Sequence, residues 1–70
     1  MDAMKVGRKL KEARGNRTRV EVAAALNISH SAIAMYESGE RVPRDDLKEK
    51  MADFFGTTVG SLFFDEKVHS

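Results

Sequence analysis

The segment from Thr18 to Gly39 constrains the fold of this chain more than any other. Thr18 has Glu21 three residues on, the spacing of a capping box, in which the hydroxyl takes a first-turn N–H and the carboxylate returns a bond to the cap's own N–H. A helix therefore starts there. Its inward residues are Val22, Ala23 and Leu26, and it stops after about eight residues because Asn27 tolerates the left-handed conformation that a sharp turn demands. Ile28 plugs the turn from below. Ser29 is a second N-cap and opens a helix from about His30 to Glu37 that buries Ile33 and Tyr36. His30, Ser31, Ala34 and Met35 then lie on its outer side, and Ser38-Gly39 closes it. Two helices this short, joined by about three residues, must cross at a steep angle, and Ala23 is the small residue that lets their backbones approach.

The flanking segments are helical too. Val6, Leu10 and Ala13 recur at i, i+4 and i+7, which predicts a first helix from about Ala3 to Arg14, ended by Gly15-Asn16. Beyond Pro43, Asp45 and Asp46 put negative charge in the first turn of a fourth helix, where the helix dipole favours it. Leu47, Met51, Phe54 and Phe55 form its apolar stripe, and Gly56 stops it. Thr58 caps a short fifth helix carrying Val59, Leu62 and Phe63. Nothing reads as a strand. The expectation is an all-α, five-helix domain over residues 1–64, followed by a polar C-terminal tail at 65–70.

Seventy residues hold a single core. With no cysteine, disulfides and thiolate zinc are impossible, and with only His30 and His69 as imidazoles a metal site would have to be built largely from carboxylates; no cofactor is implied. Lys5, Arg8, Lys9 and Lys11 interrupt the N-terminus, so neither a signal peptide nor a membrane span fits, and the chain reads as cytoplasmic. The net charge of +1 conceals a polarised distribution. Residues 1–20 carry seven Lys/Arg against Asp2 and Glu12, whereas residues 45–70 carry three lysines against six acids. A basic front suits a phosphate-rich partner, and it equally suits ordinary solvated helix faces. Catalysis finds no support. Ser29, His30 and Ser31 are adjacent on a helix and point apart, Asp45-Asp46 is helix-terminal charge, and Gly56 to Gly60 lacks a phosphate loop's lysine.

A steep helix pair of this kind allows the first helix to lie across a phosphodiester backbone while the second enters the DNA major groove, whose width admits one α-helix. It also describes two helices of a small bundle, and periodicity alone does not choose between them. The ordered set Thr-x-x-Glu-Val-Ala from Thr18, Asn27-Ile28-Ser29, Ile-x-x-Tyr-Glu-x-Gly from Ile33 and Pro-x-x-x-Leu from Pro43 does. With Val6-Gly7, Arg14, Ala52 and Gly56 to Leu62, these residues resemble the lambda-repressor-like (Cro/XRE-type) helix-turn-helix DNA-binding family over about nine-tenths of the chain.

That resemblance implies a five-helix transcriptional regulator, usually a repressor, that binds double-stranded DNA as a homodimer on paired half-sites and acts at the nucleoid. It puts His30, Ser31, Ala34 and Met35 where the family reads bases. Arg19, Ser38, Arg41 and Arg44 fall where the family contacts phosphates, and Arg14 with Glu37 resembles the pair that ties the first helix to the end of the third. The chain also departs from the family. Arg19 stands where glutamine is most common, Asn27 replaces the usual turn glycine, and the connection Gly15-Asn16-Arg17 is shorter than the commonest form. Ala34 and Met35 cannot make bidentate bonds to bases but can touch thymine methyls, which leaves hydrogen-bonded reading to His30 and Ser31, with DNA shape contributing.

Five aromatics are many for so short a chain. Val59, Phe63 and Phe64 are therefore candidates for a homodimer contact or for completing the core. A second function class, a protein-interaction module or antitoxin-like component on the same fold, draws on the same three residues. No sensor segment is recognisable, so an effector would act through the dimer equilibrium or be a separate protein.

Overall fold

The computed structural model describes residues 2–64, and the polar tail expected at 65–70 lies outside them. Five helices follow in order: α1 Ala3–Arg14, α2 Arg19–Leu26, α3 His30–Ser38, α4 Asp45–Phe55 and α5 Val59–Phe63. Among the described residues there is no strand.

Side-chain caps set where the helices begin. The Thr18 hydroxyl accepts from Glu21 N at 3.1 Å, Ser29 from Ala32 N at 3.0 Å and Thr58 from Ser61 N at 3.0 Å. The third-position reach is the same in all three, and each cap contributes about 1 kcal/mol. Asp2, which the sequence reading passed over, caps α1 by accepting from Met4 N at 3.0 Å. At the other end of α2, Asn27 takes φ 57° and ψ 45°, and it is the one non-glycine residue at positive φ among those described. That conformation lets Ile28 N reach the Ala23 carbonyl at 3.0 Å and Asn27 N reach Ala24 at 3.2 Å, so the last turn of α2 closes on its own carbonyls.

Helices of eight and nine residues are not stable alone, so α2 and α3 persist because they are packed. The core gathers Val6 and Leu10 from α1, Val22, Ala23 and Leu26 from α2, Ile33 and Tyr36 from α3, Met51 from α4, and Leu62 and Phe63 from α5. Ala13, Ile28, Leu47, Phe55 and Val59 pack around it, half-buried.

Helix α4 differs from its expected stripe. Its fully buried residues are Lys48, Met51 and Ala52, at i, i+3 and i+4, and Phe54 is left 36 % exposed. Phe54 packs instead edge-to-face on Phe55, at 5.2 Å between centroids, and under the Arg17 guanidinium, also at 5.2 Å. Lys48 takes the inner position because its aliphatic stem can be buried while its ammonium stays near charge and rings. The ammonium lies 3.4 Å from Asp45 Oδ1 and 5.3 Å from the Phe64 centroid. Leu47, Met51 and Phe55 pack on the core as expected, and the stripe differs only in Phe54, which is left outside, and in Lys48, which looks polar in a hydropathy pattern.

α1 packs most extensively on α3. The approach is closest at Gly7, where a Cβ would collide with the Glu37 carbonyl oxygen and sit 2.7 Å from that of Tyr36. These are backbone atoms and cannot swing aside. Gly7→Ala should therefore lower stability by about 1–2 kcal/mol, as overpacking against backbone outweighs the roughly 1 kcal/mol by which alanine favours a helix. A urea midpoint equal to or above the wild type would contradict this close approach.

Candidate nucleic-acid interface

Helix α3 is held from below and at both ends, which decides what its outer surface offers. Ile33 and Tyr36 are in the core, so the opposite side faces outward. His30 and Ser31 are exposed there, while Ala34 and Met35 are half-buried. The Ser29 cap fixes its start. Gly39 at φ 83° ends it, with Glu40 N bonded to the Met35 carbonyl at 3.0 Å.

Near the C-terminal end of α3 lies the strongest electrostatic feature among the described residues. Glu37 is the only charged residue between Val22 and Gly39 in the sequence, and its side chain is 4 % exposed. Arg14 Nε donates to Glu37 Oε2 at 2.7 Å and Arg14 Nη2 to Oε1 at 3.1 Å, a bidentate pair between α1 and α3. A third bond comes from α2, where Arg19 Nε donates to the same Oε1 at 3.1 Å. One carboxylate thus ties three helices. Burial by itself pushes the Glu37 carboxyl up, but the hydrogen bonds and charges of Arg14 and Arg19 outweigh it and hold the group below its ordinary range. The Glu37 hydrogen bond correspondingly raises Arg14, against the opposing effect of burial. Arg14 Nη1 also donates to the Arg17 carbonyl at 2.9 Å, which fastens the short α1–α2 connection. Among the described residues no buried side-chain polar atom lacks a partner.

The remaining cations are distributed around this frame. Arg41 and Arg44 are exposed and border a cleft floored by Leu26, Ile28, Tyr36 and Leu47, beside the α2–α3 turn. Arg44 is also the residue before α4, and its carbonyl accepts from Lys48 N at 2.9 Å. Ser38 is exposed, and its hydroxyl donates back to the Met35 carbonyl at 3.1 Å. Arg19 is 40 % exposed at its side chain and bonded to Glu37, so it does not simply extend into solvent. The sequence reading missed this Arg19–Glu37 bond. A lone acid in an otherwise uncharged helix pair was the available signal, since an isolated carboxylate there must find cations from elsewhere.

Two apolar expectations separate. Phe63 is 3 % exposed and belongs to the core, so it cannot also serve as a dimer contact, because a side chain already sealed has no surface left to bury. Phe64 is 52 % exposed and Val59 half-buried. Among the described residues no helix is long and apolar enough to cross a membrane, and no cluster of three potential metal ligands occurs.

A helix-turn-helix family model matches residues 8–62, a span that begins in α1 and ends in α5. The chain belongs to the lambda-repressor-like helix-turn-helix family. It is accordingly an all-α domain of a DNA-binding regulatory family, with α2 and α3 as its helix-turn-helix. No curated protein and no solved structure matches the chain.

The buried triad makes this helix-turn-helix domain pH-sensitive in a defined direction. Because Glu37 is held below its unfolded value, its contribution is complete above the ordinary glutamate pKa of about 4.3 and is lost as pH falls through the folded value. The urea midpoint should therefore drop between pH 5 and about pH 3, more steeply in wild type than in Glu37→Gln. Equal slopes would remove Glu37 as the cause. Arg14→Met should cost about 2–3 kcal/mol, because it strips a buried carboxylate of its bidentate partner while Arg19 remains. Arg19→Met should cost no more than about 1 kcal/mol, given its exposure.

Proposed function

We propose that the domain regulates transcription, most simply as a repressor, by laying α3 in the major groove of a specific duplex. The carrying observation is that His30 and Ser31 stand exposed on a helix whose other face is locked in the core. His30 and Ser31 supply hydrogen bonds to base edges. Ala34 and Met35 offer apolar contact to thymine methyls, with DNA shape adding selectivity where these residues cannot. Arg19, Ser38, Arg41 and Arg44 take the flanking phosphates and set the register. The basic first twenty residues support this orientation through the field they create.

A single helix of nine residues reads too few base pairs for a unique site, and a homodimer on two half-sites about 34 Å apart doubles the contacts. Phe64, exposed at the end of α5, and half-buried Val59 at its start support α5 as the dimer contact. Repression by occupancy needs nothing beyond such binding, and the protein would act in the cytoplasm, on the nucleoid. Any effector would then work through the dimer equilibrium or as a separate protein.

Duplexes selected from a random library should share a motif and a fixed half-site spacing. On the selected duplex, His30→Ala should weaken binding by about 1–3 kcal/mol and relax one base position. If a dimer meets six to eight phosphates, log K against log salt should fall with a slope of about −5 to −7. A slope near zero, or an equal His30→Ala loss on random DNA, would defeat the corresponding assignment.

A further inference from the structure

The unusual feature of the buried triad is its third member. Glu37 is already satisfied by the bidentate Arg14, so Arg19 is not needed to neutralise it. Arg19 nevertheless gives it one bond, and does so through Nε at 3.1 Å to Oε1. The choice of nitrogen matters. With Nε engaged, the guanidinium is tethered at its inner nitrogen, and its two terminal nitrogens make no other bond among the described residues. The side chain is 40 % exposed while the carboxylate under it is 4 % exposed, so the anchor is inside the protein and the free end reaches solvent.

From this the geometry points to Glu37 as a positioning residue: it holds Arg19 by Nε so that the two terminal amino groups meet a DNA phosphate in a preset orientation. The inference rests on the interface reading above, and adds to it how one phosphate contact is made. A long arginine usually loses rotamer freedom when it binds, and an arginine already clamped has less to lose. The arrangement also has a mechanical consequence. Arg19 opens α2, and Glu37 stands in the last turn of α3, so the phosphate contact and the reading helix share one carboxylate. A backbone contact made through Arg19 thereby fixes the angle at which α3 enters the groove. A glutamine at position 19 would lack the charge, and a bond from its one amide nitrogen to Glu37 would leave a single N–H for the phosphate.

The test is a double-mutant cycle on the full chain, with fluorescence anisotropy on a random-sequence duplex at several salt concentrations. Arg19→Gln should weaken binding and make the salt slope shallower by about one per half-site. Glu37→Gln also removes a negative charge near DNA, which on its own favours binding in any background. The informative quantity is therefore its effect with Arg19 present against its effect in Arg19→Gln. Positioning predicts that Glu37→Gln is less favourable with Arg19 present, by about two- to tenfold, the penalty for ordering one long side chain. Equal effects overturn the proposal. A more favourable effect with Arg19 present also overturns it, since Glu37 would then be withholding the arginine.

Arg19→Lys leaves the Arg14–Glu37 pair intact and keeps the charge, so it remains informative if Glu37→Gln does not fold. It should bind random duplex about two- to tenfold more weakly than wild type at unchanged salt slope, with the same thermal midpoint within a degree or two. Wild-type affinity in Arg19→Lys overturns positioning. If no variant and no wild type shows salt-sensitive binding, the interface reading falls and takes this inference with it. If wild type binds and Arg19→Gln leaves the slope unchanged, only the Arg19 contact falls.

Discussion

The contact between α1 and α3 is the constraint on which the remaining geometry depends. At Gly7 the two backbones meet without an intervening side chain, and one end of that contact is sealed by Arg14 reaching across to Glu37. Closeness and charge act together here. The Glu37 side chain is 4 % exposed, and a dry carboxylate binds its arginines more strongly than a wet one would. Because α1 contributes Val6 and Leu10 to the core, an α3 that shifted on α1 would open the core as well.

The angle of α3 is the functionally important outcome. It is set by three unlike forces: the Asn27 turn, which fixes where α3 starts relative to α2; apolar burial of Ile33 and Tyr36; and the Glu37 triad near its far end. None alone would suffice for nine residues, since a helix that short frays without tertiary support. The outer face is then free to be chosen for its ligand. His30 and Ser31 are exposed and make no contribution to the core, so packing places no constraint on their identity.

Much of this was legible from residue order, for local reasons. The caps Thr18, Ser29 and Thr58 and the stops Asn27, Gly39 and Gly56 act within four residues, so they declare themselves in the sequence. The alternation of Ile33 and Tyr36 with His30 and Ser31 gave the inner and outer sides of α3 by the same logic. Helix α4 was read less well. Lys48 is buried by its stem and Phe54 is left outside beneath Arg17, and both depend on neighbours supplied by α5 and by the α1–α2 connection. Phe63 and Phe64 illustrate the same limit, as adjacent identical residues of which one is sealed and the other exposed.

The sequence by itself determined the number of helices, their ends, the helix-turn-helix and its outward residues, because caps, turns and periodicity are properties of a few neighbouring residues. Only the tertiary structure decided that Gly7 is the point of closest approach, that Phe63 lies within and Phe64 without, and that Arg19 shares the carboxylate of Arg14. Each of those depends on groups 18 to 30 residues apart in the chain, or on which of two adjacent side chains meets the core. Such proximity arises when helices pack, and residue spacing carries no direct record of it.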